Sequence, residues 1–241
     1  METRIDEIAD HIYRFSTLVP GVAGPAGLSF NQFLIDADQP LLFHTGPRGL
    51  FPLVSAAVAR VTALNRLRWI NFSHIEADEC GALENWLAAA PQATAAHSRV
   101  GCAIWLNDVM DRPARALADD EVIDLGGKRV RHLDTPHLPH CWDAGLLYEE
   151  TTGTLFCSDL FTQTGDCPAL TDKDIVGRAL TVEKMLPFSS TPPNAAALVR
   201  RLAALSPKVL AIMHGSSFNG DAPAALEALA AYYETRLRAT V

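Results

Sequence analysis

Apolar positions follow two rhythms along the chain. Short runs rich in β-branched and aromatic residues, bounded by turn formers, predict strands. They cover His11 to Ser16, Leu28 to Ile35, Pro40 to His44, Leu67 to Phe72, Lys128 to Leu133, Gly145 to Glu150, Thr154 to Cys157 and Val209 to Met213. The second and third flank Asp36-Ala37-Asp38-Gln39 and predict a hairpin, as Thr151-Thr152-Gly153 does for 145–157. Helical spacing appears between the strands: Leu50, Val54, Val58 and Val61 after Gly46-Pro47, then a short helix over Ala82 to Ala90. Thr191 is expected to cap a helix beginning at Pro192-Pro193, with Leu198, Val199 and Leu202 on one face. Asp221 is expected to cap the last helix, whose stripe is Leu226, Leu229, Ala230, Tyr233 and Leu237. Thr162 to Val176 is irregular and is expected to be a functional loop over a site. No repeat or linker breaks the pattern, so one domain over 1–241 is expected. Strands dominate both halves and helices punctuate both, which favours two sheets face to face with helices outside.

Composition changes this picture little. The 241 residues are 49% apolar and 20% charged, ordinary for a globular chain able to bury a core. A net charge of −8 disfavours nucleic acid as a partner. The basic runs Arg66-Leu67-Arg68 and Lys128-Arg129-Val130-Arg131 read as solvated strand ends. No apolar run approaches the roughly 18–20 residues that span a bilayer, and Met1 to Glu7 is charged, unlike a signal peptide. No membrane partner is expected, and the expected compartment is the cytoplasm. The five cysteines, Cys80, Cys102, Cys141, Cys157 and Cys167, form no closely spaced pair and read as free, buried thiols.

Candidate chemistry concentrates in Ser73-His74-Ile75-Glu76-Ala77-Asp78-Glu79. One histidine and two carboxylates stand at i, i+2 and i+4 after an apolar strand. In extended backbone all three would face one way. Together they make a hard, mixed N/O cation site suited to iron, manganese or zinc. Three distant residues at expected strand ends could complete it: His140, Asp159 and His214. Each alone reads more simply as a hydrogen-bonded histidine or a turn-forming aspartate. A carboxylate at Asp159 would let two cations share the cluster. No Gly-rich phosphate loop opens a helix, so no resident nucleotide or flavin is expected in this chain.

In this form and order the residues resemble the metallo-β-lactamase superfamily over nearly the whole chain, from Asn31-Gln32-Phe33-Leu34-Ile35 and His44-Thr45-Gly46 to His214-Gly215. The expected fold is therefore α/β, a four-layer αββα sandwich. The His-x-Glu-x-Asp form resembles the di-iron branch: flavodiiron proteins and stand-alone oxygen-binding di-iron proteins, the latter also in Pro136-His137-Leu138-Pro139-His140. The resemblance implies that His74, Glu76, His140 and Asp159 bind one iron, and that Asp78, Asp159 and His214 bind the other. Zinc hydrolases of this fold carry His-x-His-x-Asp-His; here Glu76 and Glu79 replace the second and last histidines. Added carboxylate favours iron, with zinc or manganese as the alternative. Glu79 is either a further ligand or marks an open metal position. His44 stands where the superfamily usually has an aspartate that orients the site, and is a candidate for that role through another hydrogen bond. His137 is expected to line the pocket or support a ligand, and Asp143 to support His140 from outside. His11, His97 and His132 read as ordinary.

The implied function is a non-haem di-iron protein that binds or reduces dioxygen or nitric oxide, as a sensor or an oxidoreductase component. It would draw electrons from a separate reductase and could be a homodimer. The alternative is a dinuclear hydrolase acting on a thioester, lactone or phosphoester.

Overall fold

The computed structural model describes residues 1–240. Its strands form two seven-stranded sheets. The first holds, in spatial and chain order, β1 (Thr3–Ala9), β2 (Ile12–Val19), β3 (Leu28–Ile35), β4 (Leu41–Phe43), β5 (Trp69–Asn71), β6 (Thr94–Ser98) and β7 (Arg115–Leu117). The second comprises β8 (Val122–Asp124), β9 (Arg129–Asp134), β10 (Gly145–Glu149), β11 (Thr154–Phe156), β12 (Leu170–Thr171), β13 (Val209–Ala211) and β14 (Ser217–Phe218), in the order β12-β14-β13-β11-β10-β9-β8. Strands β1 to β4 pair antiparallel, β4 to β7 parallel, and β11 pairs parallel with β13.

Three apolar layers explain why the sheets stack. Phe33, Ile35, Leu41 and Phe43 of the first sheet meet Val130, Leu147, Phe156 and Ala211 of the second. The outer face of the first sheet, with Leu34, Leu42 and Ile70, packs on α1 (Phe51–Val58) and α3 (Leu83–Ala89) through Val54, Val58 and Trp86. The outer face of the second, with Leu146, Leu155 and Leu210, packs on α7 (Ala195–Ala204) and α8 (Ala222–Thr240) through Val199, Leu202, Leu226 and Leu229. The result is the four-layer αββα sandwich expected. Strand β3 is buried on both faces, so its run is nearly continuous rather than alternating.

Several local readings need correction. The charged N-terminus forms β1, an edge strand whose side chains suit its solvent border. Thr191 does not cap α7; Asn194 precedes its first residue and offers no side-chain cap. The cause is the Pro192-Pro193 pair, which pushes the residue before each proline out of helical geometry and delays the helix. Asp221 does cap α8, accepting from Ala224 N–H at 3.0 Å. The 162–176 stretch is not wholly irregular, since β12 pairs with β14. Beyond it lies α6 (Val176–Met185), and after β6 come α4 (Arg99–Gly101) and α5 (Asn107–Val109) flanking a π-helical turn. All five cysteines are free, four of them buried.

Candidate metal centre

Strands β4, β5, β11 and β13 each deliver a polar residue at their C-terminal ends, where open α/β sheets place their sites. These are His44, Ser73-His74, Ser158-Asp159 and His214. His140 arrives from the loop between β9 and β10. Glu76 ends the extended segment with φ −147° and ψ 160°, and α2 (Ala77–Cys80) starts directly after it. Gly81 lets that short helix close, because a Cβ there would lie 2.2 Å from Ala77 O.

That helix corrects the expectation that His74, Glu76 and Asp78 share one extended face. His74 and Glu76 join His140 and Asp159 in one group, whereas Asp78 turns away with α2 and meets Glu79 and His214 in another. In the first group, His74 Nε2 lies 3.2 Å from Glu76 Oε2 and 3.5 Å from Asp159 Oδ2. His140 Nε2 lies 2.7 Å from Glu76 Oε2 and 3.6 Å from Asp159 Oδ2. In the second, His214 Nε2 lies 3.3 Å from Asp78 Oδ2 and 3.1 Å from Asp159 Oδ1. The Asp159 carboxylate therefore directs one oxygen to each group.

The spacing fits a pair of cations. Ligands held at about 2.0–2.2 Å from one ion stand roughly 2.9–3.5 Å from each other, close to the spread of these distances. Four carboxylates crowd three imidazoles in a buried space. Both Glu79 oxygens and Asp159 Oδ1 are buried without a hydrogen-bond donor. Burial and the neighbouring Asp159 and Asp78 push the Glu79 carboxyl well above its ordinary range. Bonds from His140 and His74 hold Glu76 down at about 2. For His214, burial would lower the imidazole, but Asp159 and Asp78 outweigh it and raise it to about 10. Its Nδ1 donates to Ser29 O at 2.8 Å, which leaves Nε2 facing the carboxylates.

The supporting residues differ from expectation in part. His44 is fully buried and, as anticipated, works through another hydrogen bond: its Nε2 lies 3.0 Å from Ser73 Oγ, which contacts His74 Nδ1 at 3.0 Å. Burial holds this ring neutral, down at about 3. Asp143 does support the His140 loop, but its partner is His97 (2.8 Å), a histidine that the sequence reading left as ordinary. His137 is neither a cavity wall nor a partner of any donor. It adopts φ +63°, its N–H closes the loop onto Cys141 O at 2.7 Å, and the residue is left exposed. Ser73 and Ser158 were not singled out; the only signal was a hydroxyl immediately before His74 and Asp159.

Above the donors lies a cavity of about 160 Å³. Besides Glu76, Asp78, His140, Asp159 and His214, its walls are Ala23, Leu28, Thr162, Val182, Leu186 and Phe188. The Thr162 hydroxyl is already committed to Asp159 O at 2.7 Å. Phe188 meets the His140 ring edge-on at 6.1 Å, and its segment is tied to the His140 loop by Ser190 N–H donating to Pro139 O. Sequence reading missed this roof because Leu186 and Phe188 follow α6 outside any periodic stripe.

Comparison with known proteins shows the family and the fold. A Nostoc sp. protein that carries the name diflavin flavoprotein A 1 is 30% identical over 56% of this chain and 24% of its own length. The coenzyme F420H(2) oxidase of Methanothermobacter marburgensis is 27% identical over 62% of this chain and 38% of its own. The chain thus spans well under half the length of these curated relatives. Among solved structures, the rubredoxin oxygen:oxidoreductase of Desulfovibrio gigas superposes with a TM-score of 0.81 at 18% identity, over 96% of this chain and 62% of that one. A variant of the flavo di-iron protein of Thermotoga maritima does so at 0.84 and 20%, with the same coverage. The profile described as ODP family beta lactamase matches residues 28–215, spanning β3 to the Gly215 turn and every donor above. The chain belongs to that family.

Proposed function

We propose that residues 1–241 act as one non-haem di-iron unit that binds and reduces dioxygen or nitric oxide with electrons from a separate donor. His74, Glu76, His140 and Asp159 would hold one iron; Asp78, Asp159 and His214 would hold the other, with Glu79 as a further carboxylate donor. Two bound irons would supply one-electron redox chemistry and open positions for a diatomic ligand. Names of similar proteins support the reading: an oxidase, an oxygen oxidoreductase and a flavo di-iron protein.

The observation that carries it is a carboxylate-rich donor set under an apolar roof. Four carboxylates stand among the eight residues that could ligate, the rest being three histidines and Cys141 beside His140, and this oxygen-rich share favours a hard, oxidisable cation. Val182, Leu186, Phe188, Leu28 and Ala23 offer no hydrogen bond to a substrate, and no lysine or arginine lines the cavity. An ester or phosphodiester would find no side-chain cation or amide here to help the metals take the charge its oxygen gains during hydrolysis. A small neutral diatomic needs none. Phe188 meets the His140 ring edge-on where the cavity borders the donors. Hydrolysis is therefore favoured only by the paired donor groups and the fold, which hosts many chemistries.

The test is a paired assay. Iron-loaded protein with a reductant should consume dioxygen or nitric oxide, while zinc-loaded protein should leave a panel of thioesters, lactones and phosphodiesters intact. Metal-dependent turnover of any panel member without gas consumption would reverse the assignment.

A further inference from the structure

The proton of His214 is placed by a carbonyl. The proton of His74 is not placed so simply. Its Nδ1 lies 3.0 Å from Ser73 Oγ and 3.3 Å from Ser158 Oγ. A hydroxyl can donate or accept, so these contacts alone permit the proton on either ring nitrogen. The chain of contacts runs further. Ser73 Oγ lies 2.7 Å from Ser158 Oγ and 3.0 Å from His44 Nε2. His44 Nδ1 lies 2.9 Å from Met213 Sδ, where the chain ends. His44, Ser73, His74, Ser158 and Met213 are all fully buried, so water does not complete the pattern.

We propose that Met213, acting through His44 and Ser73, keeps the proton of His74 on Nδ1 and so holds its Nε2 bare toward a cation. The argument starts from sulfur. A thioether has no hydrogen to give and can only accept. His44 Nδ1 must therefore carry a proton, since otherwise two lone pairs would meet at 2.9 Å. In a neutral ring the other nitrogen is then bare, so His44 Nε2 accepts. Ser73 Oγ is the donor within reach and spends its single hydrogen there. Toward His74 it can then only accept, and His74 Nδ1–H donates to it. The Ser158 hydroxyl donates to the remaining lone pair of Ser73. Every hydrogen from Met213 to His74 Nδ1 has one acceptor; His74 Nε2, 3.2 Å from Glu76 Oε2, is the one position where a cation takes the place of a second proton. Phe43 stacks on the His44 ring at 4.2 Å and fixes its plane, so both ring nitrogens stay aimed at their partners.

The relay also joins the two groups of donors. Met213 immediately precedes His214, and its N–H donates to Ser158 O at 2.9 Å. A residue beside the second group's histidine thus sets the proton of the first group's histidine. Met213, His44 and Ser73 are positioning residues: they act on the ion only through His74. The inference rests on His74 being a metal ligand, as proposed above, but not on iron or on redox chemistry.

The test reads ring protons directly, by long-range proton–nitrogen correlation on 15N-histidine protein, metal-free and loaded with diamagnetic zinc. His44 should be protonated at Nδ1 and bare at Nε2 in both forms. In Met213→Leu, which keeps volume but removes the acceptor, His44 should shift toward the Nε2–H form. Zinc affinity of the His74 group should then fall about tenfold, the lower end of the range for outer partners of a ligand. The Asp78 and His214 group should hold its zinc unchanged. A wild-type His44 protonated at Nε2 overturns the relay, and that spectrum decides even if the variant does not fold. An unchanged His44 tautomer and zinc affinity in a folded Met213→Leu overturns it too. If no zinc binds at all, the metal-centre reading fails, while the metal-free spectrum still decides the relay.

Discussion

The two donor groups that share Asp159 are built in different ways. The second is compact: Asp78 and Glu79 are neighbours on α2, and His214 is fixed by Ser29 O at the end of β13. The Glu79 side chain is fully buried and that of His214 6% exposed, while that of Asp78 is 19% exposed and lines the cavity. The first is assembled from separate segments. His74 and Glu76 follow β5, while His140 rides on a loop whose support comes from the Asp143–His97 pair outside the site. Here the Glu76 side chain is half exposed and that of His140 18% exposed, both on the cavity. The difference teaches that one ion position is set by local backbone geometry and the other by long-range packing, while both groups open on one cavity.

The comparison breaks most completely at Asp159, the residue common to both groups. Asp159→Ala should take the metal count from about two per chain to none, the count expected of a dinuclear site, with circular dichroism unchanged. One ion retained would show that Asp159 does not bridge. The groups should then separate in single variants. His140→Ala should lose the first group's ion and keep the second group's, and His214→Ala should do the reverse. Loss of both ions in each case would mean that the groups do not bind independently.

Protons sharpen the contrast further. In the metal-free protein His214 titrates at about 10, so at neutral pH its Nε2 is occupied by a proton that a metal must displace. Each unit of pH rise below that value makes displacement easier by about tenfold. Affinity of the second group should therefore climb with pH from 7 toward 10 and weaken as pH falls. Glu76 at about 2 is already ionised there and adds no slope, whereas His140, which burial would lower but its bond to Glu76 and the charge of Asp159 raise, gives the first group a slope of its own. Calorimetry in buffers of different ionisation enthalpy measures the protons released. A flat profile for the His140→Ala variant, which retains only the second group, would contradict this.

The smallest expected effect is indirect. Asp143→Asn weakens the pairing with His97 and loosens the His140 loop. It should cost the first group roughly tenfold in metal affinity and leave the second unchanged.

The contrast between the groups also marks what the sequence could show. His74, Asp159 and His214 were legible as candidates because each follows an apolar run that ends abruptly, and His140 because it lies in a Pro- and His-rich loop after such a run. The sandwich was legible in the same way, since β3, β10, β11 and β13 carry strong local patterns. The partition of Glu76 and Asp78 was legible through the family resemblance alone, and not from the local pattern. It depends on α2 starting at Ala77, and a four-residue helix leaves no periodic trace. His97 looked ordinary because its partner Asp143 is 46 residues away. The edge strands β1, β7 and β8 and the cavity roof escaped for a related reason. Their residues are placed by neighbours across the fold rather than by preference of their own.

The central claim is two irons bridged by Asp159 in a site open to a diatomic ligand. Its most direct test is the metal content of protein purified without oxygen, followed by an air titration watched by absorbance. About two irons per chain, the usual stoichiometry of such a centre, and a new absorption band as air is added would bear the claim out. Two zinc ions, or a spectrum that oxygen does not change, would contradict it.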